Sequence, residues 1–134
     1  FLIAGCILFC FGRTITHRAR RTLSRSLRHR DRDNPRFLVT SGPYNERRHP
    51  MYAGAVLLTS GIAVAFNSAY VLLFAVIAVL IRIISVQVEE KQLKSIFGKN
   101  YEQYTAAVPI RMFNWYTWVL LALLLGSAYI GILI

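Results

Sequence analysis

Three short groups in this 134-residue chain hold residue types that could do chemistry. Gly42-Pro43-Tyr44 reads, taken alone, only as a turn. Arg47-Arg48-His49-Pro50-Met51-Tyr52-Ala53-Gly54 has the form of a helix start, since proline is tolerated in a first turn where its missing N–H has no partner. His49 then sits at the helix N-terminus, with Tyr52 three residues on and roughly on the same side. Gly54 lets a second backbone come close. The third group is Glu89-Glu90, two carboxylates just past the end of an apolar run. Acids at a helix C-terminus oppose the helix dipole, and a residue that breaks a local rule is a functional candidate. The simplest task for such a carboxylate is to hold a cation. A hard metal ion needs an oxygen shell that is missing here, so an ammonium- or sulfonium-bearing ligand fits better. The plainer readings are a helix start with basic anchors, and a solvated acidic pair opposite nearby lysines. Cys6 and Cys10 lie four apart in an apolar run, with no partners to complete a zinc set, and read as small apolar helix residues.

These groups must be positioned by apolar elements. The chain is 55% hydrophobic yet carries a net charge of +10, and its mean hydropathy is +0.44. The two properties are segregated, with nearly all Lys and Arg in residues 13–48 and 88–111. A bilayer selects such blocks, because a charge in hydrocarbon costs several kcal/mol. Four membrane segments are expected, at about 1–12, 51–66, 69–86 and 115–134. Residues 1–11 would reach only about 17 Å as a helix, against a hydrocarbon core of about 30 Å. This segment is read as the tail of a truncated span with more membrane sequence upstream. It is not read as a signal peptide, for want of a basic flank before it and a cleavage site after it. Residues 51–81 hold no charge but are too long for one straight span, and Asn67-Ser68 interrupts them as a turn.

The expected fold is therefore all-α: a single polytopic membrane helix bundle with a tight transmembrane hairpin and a cytosolic cofactor site. The positive charge of 13–48 places that stretch in the cytosol. A hairpin returns to the side it left, so 88–114, with Lys91, Lys94 and Lys99, is expected there too. The last helix then crosses outward, with Trp115, Tyr116 and Trp118 at the interface. Within the second polar stretch, a helix reaches at least Phe97, with Leu93, Ile96, Phe97, Tyr101 and Tyr104 on one face. Glu90 and Lys94 form a favourable pair four apart, and Gly98 can end or cap that helix. The hairpin thus brings 42–52 beside 88–104, open to a soluble cofactor and to a lipid-borne substrate. The runs R-A-R-R and R-H-R-D-R-D-N-P read as topology determinants rather than as an anionic-lipid or nucleic-acid site, and His17 and His29 as solvated. No nucleic-acid partner is expected. Arg82, an intramembrane charge, is a functional candidate; its alternative is snorkelling to the interface.

The pattern L-V-T-S-G-P-Y-N-E-R-R-H-P-M-Y-A-G, an apolar hairpin, then V-E-E-K-Q-L-K-S-I-F-G-K-N-Y-E-Q-Y-T-A-A-V-P resembles the isoprenylcysteine carboxyl methyltransferase family. Phospholipid N-methyltransferases are similar at greater distance. The resemblance covers about residues 36–109. It implies an S-adenosyl-L-methionine cofactor, held by His49, Pro50 and Tyr52 of the R-H-P-x-Y motif and by Glu89 and Glu90. Leu38, Val39 and Tyr44 match positions that also line the cofactor, and Glu89 matches the carboxylate that takes its ammonium group. The chain departs from the family pattern at Asn45-Glu46-Arg47 and in the tail Val108-Pro109-Ile110-Arg111. Ser85 stands where eukaryotic members have a substrate-meeting arginine, and the nearest arginine is Arg82.

The resemblance implies methyl transfer to a lipid-like or prenylated acceptor, with a carboxylate among the candidates. A carboxylate acceptor is ionised at neutral pH and needs no base. The protein would then align donor and acceptor and exclude water. An amine acceptor would need a base, for which His49 or a glutamate is the candidate. Adenine could stack on Tyr44 or Tyr52. Catalytic candidates are His49, Glu89 and Arg82; no metal is expected. Two rival readings are a nicotinamide-dependent membrane reductase of the sterol-reductase type, which is similar around R-H-P-x-Y, and a non-catalytic basic membrane anchor.

Overall fold

The computed structural model describes residues 1–28 and 37–133. Among the described residues five α-helices follow in order: α1 Leu2–Arg28, α2 Pro50–Phe66, α3 Ala69–Phe97, α4 Lys99–Ala107 and α5 Trp115–Leu133. A 3-10 turn, Gly42–Asn45, precedes α2. No strand occurs among the described residues, as the all-α expectation requires.

The first helix departs from expectation. Its apolar start was expected to give way to a loop after Gly12, yet it runs on to Arg28. Arginine, alanine and leucine are strong helix formers, and neither glycine nor proline falls between Arg13 and Arg28. Charge alone does not stop a helix. The R-A-R-R run and the exposed His17 therefore sit on α1, whereas His29 and nearly all of R-H-R-D-R-D-N-P lie outside the described residues.

The most extensive helix pair is α1 with α2. Glycines seven apart on each helix face one another in antiparallel register, Gly5 opposite Gly61 and Gly12 opposite Gly54. A Cβ added to Gly12 would lie 2.6 Å from the Gly54 carbonyl oxygen, and one added to Gly61 would lie 2.7 Å from that of Gly5. The two backbones are thus in direct contact, as small residues permit between closely packed helices. Buried Ala19 continues the seven-residue spacing on α1.

The turn between α2 and α3 falls at Asn67-Ser68. Asn67 adopts the left-handed conformation (φ 46°) and its N–H bonds the Ala63 carbonyl at 3.1 Å. Asparagine visits that region more readily than most residues. Ser68 is extended, and its carbonyl accepts the first bond of α3, from Leu72 N–H at 2.9 Å. Ala63, Leu72 and Ala75 form the core of this corner, with Leu125 and Ile132 of α5 packed on it.

The membrane segment expected at 69–86 and the helix expected to reach at least Phe97 are one element, α3. It continues for 29 residues in all, about 44 Å, because V-Q-V-E-E-K-Q-L-K holds no breaker. Gly98 stops it with φ 51° and ψ −124°, a conformation suited to glycine. Glu89 and Glu90 consequently lie inside a helix rather than just past its end; what they do follows from what they touch. Tyr101, Tyr104 and Val108 pack with Leu38, Leu93 and Phe97. Ile96, expected on that face, is exposed because the bend at Gly98 breaks the continuous register that would have placed it there.

α3 and α5 are long and apolar enough to cross a membrane; α2 is an apolar helix of 17 residues. Leu73, Ile77, Leu80, Ile84 and Val88 form an exposed stripe along α3 at three- and four-residue spacing. Such a surface suits lipid rather than water. Trp118, expected at an interface, is half-buried edge-on against Phe113, with ring centroids 5.2 Å apart.

Candidate active site

A cavity of about 550 Å³ opens where the polar ends of α1 and α3 run past the N-terminus of α2. That size is within the range of about 300–1,000 Å³ typical of small-molecule sites. α1 contributes Thr16, Leu23 and Leu27, the segment before α2 contributes Phe37, Leu38, Val39 and Tyr44, and α2 contributes Pro50, Met51, Tyr52 and Ala55. Arg82, Glu89, Leu93 and Phe97 come from α3, and Tyr101 and Tyr104 from α4. His49 and Arg48, at the start of α2, complete the wall.

Leu38, Val39, Tyr44, His49, Pro50, Tyr52, Glu89 and Arg82 are all brought together here. His49 is the N-cap of α2, held by its N–H bond to the Arg111 carbonyl at 2.8 Å, and Pro50 opens the helix. The His49 Nδ1 lies 3.8 Å from a Glu89 carboxylate oxygen. Tyr52 presents its ring edge-on to His49, with centroids 5.9 Å apart. Tyr44 is fixed by its carbonyl, which accepts a 2.6 Å bond from the Tyr104 hydroxyl. The Arg82 Nη1 donates to the Ala78 carbonyl at 2.9 Å, one turn back on α3.

Glu90 lies apart from this group. Neighbours on a helix point about 100° away from each other, so Glu89 faces the cavity while Glu90 faces the opposite side. Its carboxylate meets Arg48 Nη2 at 3.2 Å and Arg111 Nε at 3.1 Å, and accepts from His49 Nε2 at 3.3 Å. The segment after α4 is strapped over the α2 N-terminus by a further bond, Arg48 N–H to the Ile110 carbonyl at 2.9 Å. Glu90 thus acts on the cavity through Arg48 and His49 rather than as part of its wall. Arg48, Arg111 and the hydroxyls of Tyr101 and Tyr104 were not singled out by sequence reasoning. Arg48 is the first residue of the R-H-P motif, and Arg111 followed a valine-proline pair in the tail; neither spacing reveals that one carboxylate joins them.

Burial holds His49 below its ordinary imidazole range, against the pull of Glu89 and Glu90, which favour the charged form; Arg48 reinforces the lowering. The ring is therefore neutral at neutral pH, with Nε2–H donating to Glu90. Burial also raises Tyr44, with Glu89 adding to the effect, and pushes Tyr104 up to about 12. A histidine lowered on folding binds more protons in the unfolded chain, so stability rises with pH through the window below about 6.5 and is lost on acidification. Thermal unfolding of wild type in detergent should accordingly fall more steeply from about pH 7 to about pH 5 than that of His49→Gln. Parallel curves would show that His49 is not titrating in that window.

Among the described residues no group of three or more His, Cys, Asp or Glu could hold a metal ion, and Cys6 and Cys10 are free and exposed. Residues 1–100 match the model of the phospholipid methyltransferase family. Over 109 residues the chain is 31% identical to protein-S-isoprenylcysteine O-methyltransferase B of Arabidopsis thaliana, which covers 78% of this chain and 55% of that protein. The chain thus spans about half the length of this relative. No solved structure matches.

Proposed function

The chain belongs to the phospholipid methyltransferase family, and we propose that its cavity binds S-adenosyl-L-methionine for methyl transfer to a lipid-like or prenylated acceptor. The observation that carries this reading is the half-buried Glu89 carboxylate, directed at the cavity beside His49 and Tyr52. No arginine or lysine lies within ion-pair distance of it among the described residues. A carboxylate with no protein cation in ion-pair contact, on the wall of a small-molecule cavity, fits the ammonium group of an amino-acid-bearing cofactor. Tyr44 and Tyr52 offer ring faces for adenine.

When bound, that cofactor supplies a methyl group already activated by its sulfonium. The chain's own residues do the rest. Glu89 fixes the amino-acid end, and the tyrosines and leucines orient the nucleoside and exclude water. For a carboxylate acceptor no base is needed. For an amine acceptor, neutral His49 is the group able to take a proton, which it would accept on Nδ1, its side away from Glu90. Arg82, on the same wall, is placed to meet an anionic acceptor. A prenylated acceptor draws support from the name of the Arabidopsis relative. The membrane reading rests on the apolar stripe of α3 and the length of α3 and α5. The basic half of α1 supports a cavity mouth on the cytosolic side of a multi-pass bundle. Both matches carry methyltransferase names, and neither supports the reductase or the basic-anchor reading.

Calorimetric titration of the detergent-purified chain with S-adenosylhomocysteine tests the proposal. Wild type should bind, and Glu89→Gln should bind at least about tenfold more weakly, the loss expected when a charged hydrogen bond to an ammonium is removed. Absence of heat with wild type would overturn it.

A further inference from the structure

A second cavity, of about 440 Å³, lies behind the first, and Arg48 and Tyr101 form part of the walls of both. Its other basic residues are Lys91, Lys94 and Arg111; the hydroxyl of Thr105, also on the wall, is spent on the Glu102 carbonyl at 2.8 Å. Two carboxylates, Glu90 and Glu102, also line it, but each is already engaged. Glu90 is held by Arg48 and Arg111, and Glu102 by Lys94 at 3.0 Å. Lys91 pairs with no carboxylate among the described residues. Positive charge therefore remains in excess.

Two buried donors on the shared wall are unspent. The Arg48 Nε, on a side chain only 10% exposed, and the hydroxyl of Tyr101, a residue only 3% exposed, have no hydrogen-bond partner among the described residues. Leaving such groups unmet is costly, so a ligand that accepts from both would be favoured. The arrangement calls for an anion with several acceptor oxygens, because arginine, lysine and hydroxyl donors converge while the local carboxylates are spent. From this geometry we infer that the second cavity is a binding site for a phosphate-bearing anion, distinct from the cofactor cavity and independent of the methyl-transfer reading.

Phosphate could reach the site free in solution or as the headgroup of an anionic lipid, since the cavity sits at the polar end of α3. The two sources are separable. Thermal unfolding of the full chain in a zwitterionic detergent is followed against inorganic phosphate at constant ionic strength, which removes general screening of the net charge. The titration is then repeated in mixed micelles containing phosphatidylglycerol, with phosphatidylcholine as reference.

The unfolding temperature of wild type should rise saturably with at least one phosphate probe. A response to inorganic phosphate identifies the soluble source, and a response to phosphatidylglycerol alone identifies the headgroup. Lys91→Gln should weaken the apparent affinity about fivefold, as the loss of one cation near an anionic group implies. Tyr101→Phe, which removes only an unpartnered hydroxyl, should weaken it while leaving the ligand-free unfolding temperature within about a degree of wild type. Lys99→Gln, an equal charge change outside both cavities, should leave it unchanged. No saturable rise with either probe, or an equal loss in Lys99→Gln, overturns the inference. S-adenosylhomocysteine binding by Lys91→Gln stays at the wild-type level, so failure of this site and failure of the cofactor reading are told apart.

Discussion

Replacing Glu90 with alanine should destabilise the folded chain by about 3–5 kcal/mol, the usual cost of breaking a buried ion pair from one side. Two arginines and His49 meet on this carboxylate, whose side chain is 13% exposed. Arg111 is more than half exposed and can turn to solvent, but the Arg48 side chain is only 10% exposed. Its charge would be left without a partner in a place water barely reaches. The unfolding temperature in detergent should fall by roughly 10 °C or more. Taking away the stranded charge as well should restore much of the loss, so Arg48→Leu combined with Glu90→Leu should be more stable than Glu90→Leu alone. If the double variant is no better than the single one, the penalty does not come from Arg48.

A second large effect is expected where α1 meets α2. Gly12→Val should abolish recovery of monodisperse folded protein. Its first added carbon would fall 2.6 Å from one backbone oxygen and 2.7 Å from the Leu58 nitrogen. Neither is the end of a flexible side chain, so the helices themselves must part, and overpacking of this kind costs upward of about 3 kcal/mol. Gly126→Ala is the matched control, because nothing lies within 4 Å of the added carbon there. Size-exclusion profiles and unfolding temperatures of the two variants, prepared side by side, decide it; near-equal behaviour would mean the close approach is unimportant. Thr16, Leu23 and Leu27 wall the first cavity from α1, so a partial variant such as Gly12→Ala should also weaken ligand binding there.

Local punctuation was legible before the structure. Asn67-Ser68, Pro50 and Gly98 each carry a backbone preference strong enough to act without context, and each bounds a helix where that preference predicts. Helix extent was harder to read where charge and apolarity change along one element. α1 and α3 both run from apolar into polar sequence without a breaker; reading the hydropathy edge after Gly12 as a helix end cut α1 short, and reading the edge near Val86 as one split α3 in two. The close helix pair was half visible: Gly54 was recognised as a point of approach, but its partner Gly12 lies more than forty residues away and nothing local links the two. Glu89 and Glu90 were read as a unit because they adjoin. Only the helical turn between them, together with Arg48 and Arg111 arriving from two other segments, assigns one to each side.

The unbroken course of α3 has a mechanical consequence. Greasy stripe and acidic residue belong to one stiff rod, with neither proline nor glycine between Ala69 and Phe97 to act as a joint. Glu89 stands about 30 Å along it. A lean of about 5° about the Ala69 end carries that carboxylate sideways by roughly 3 Å, the span of a hydrogen bond, relative to His49 on the neighbouring helix. Any change in how far this rod leans therefore alters the spacing of Glu89 and His49 through simple leverage.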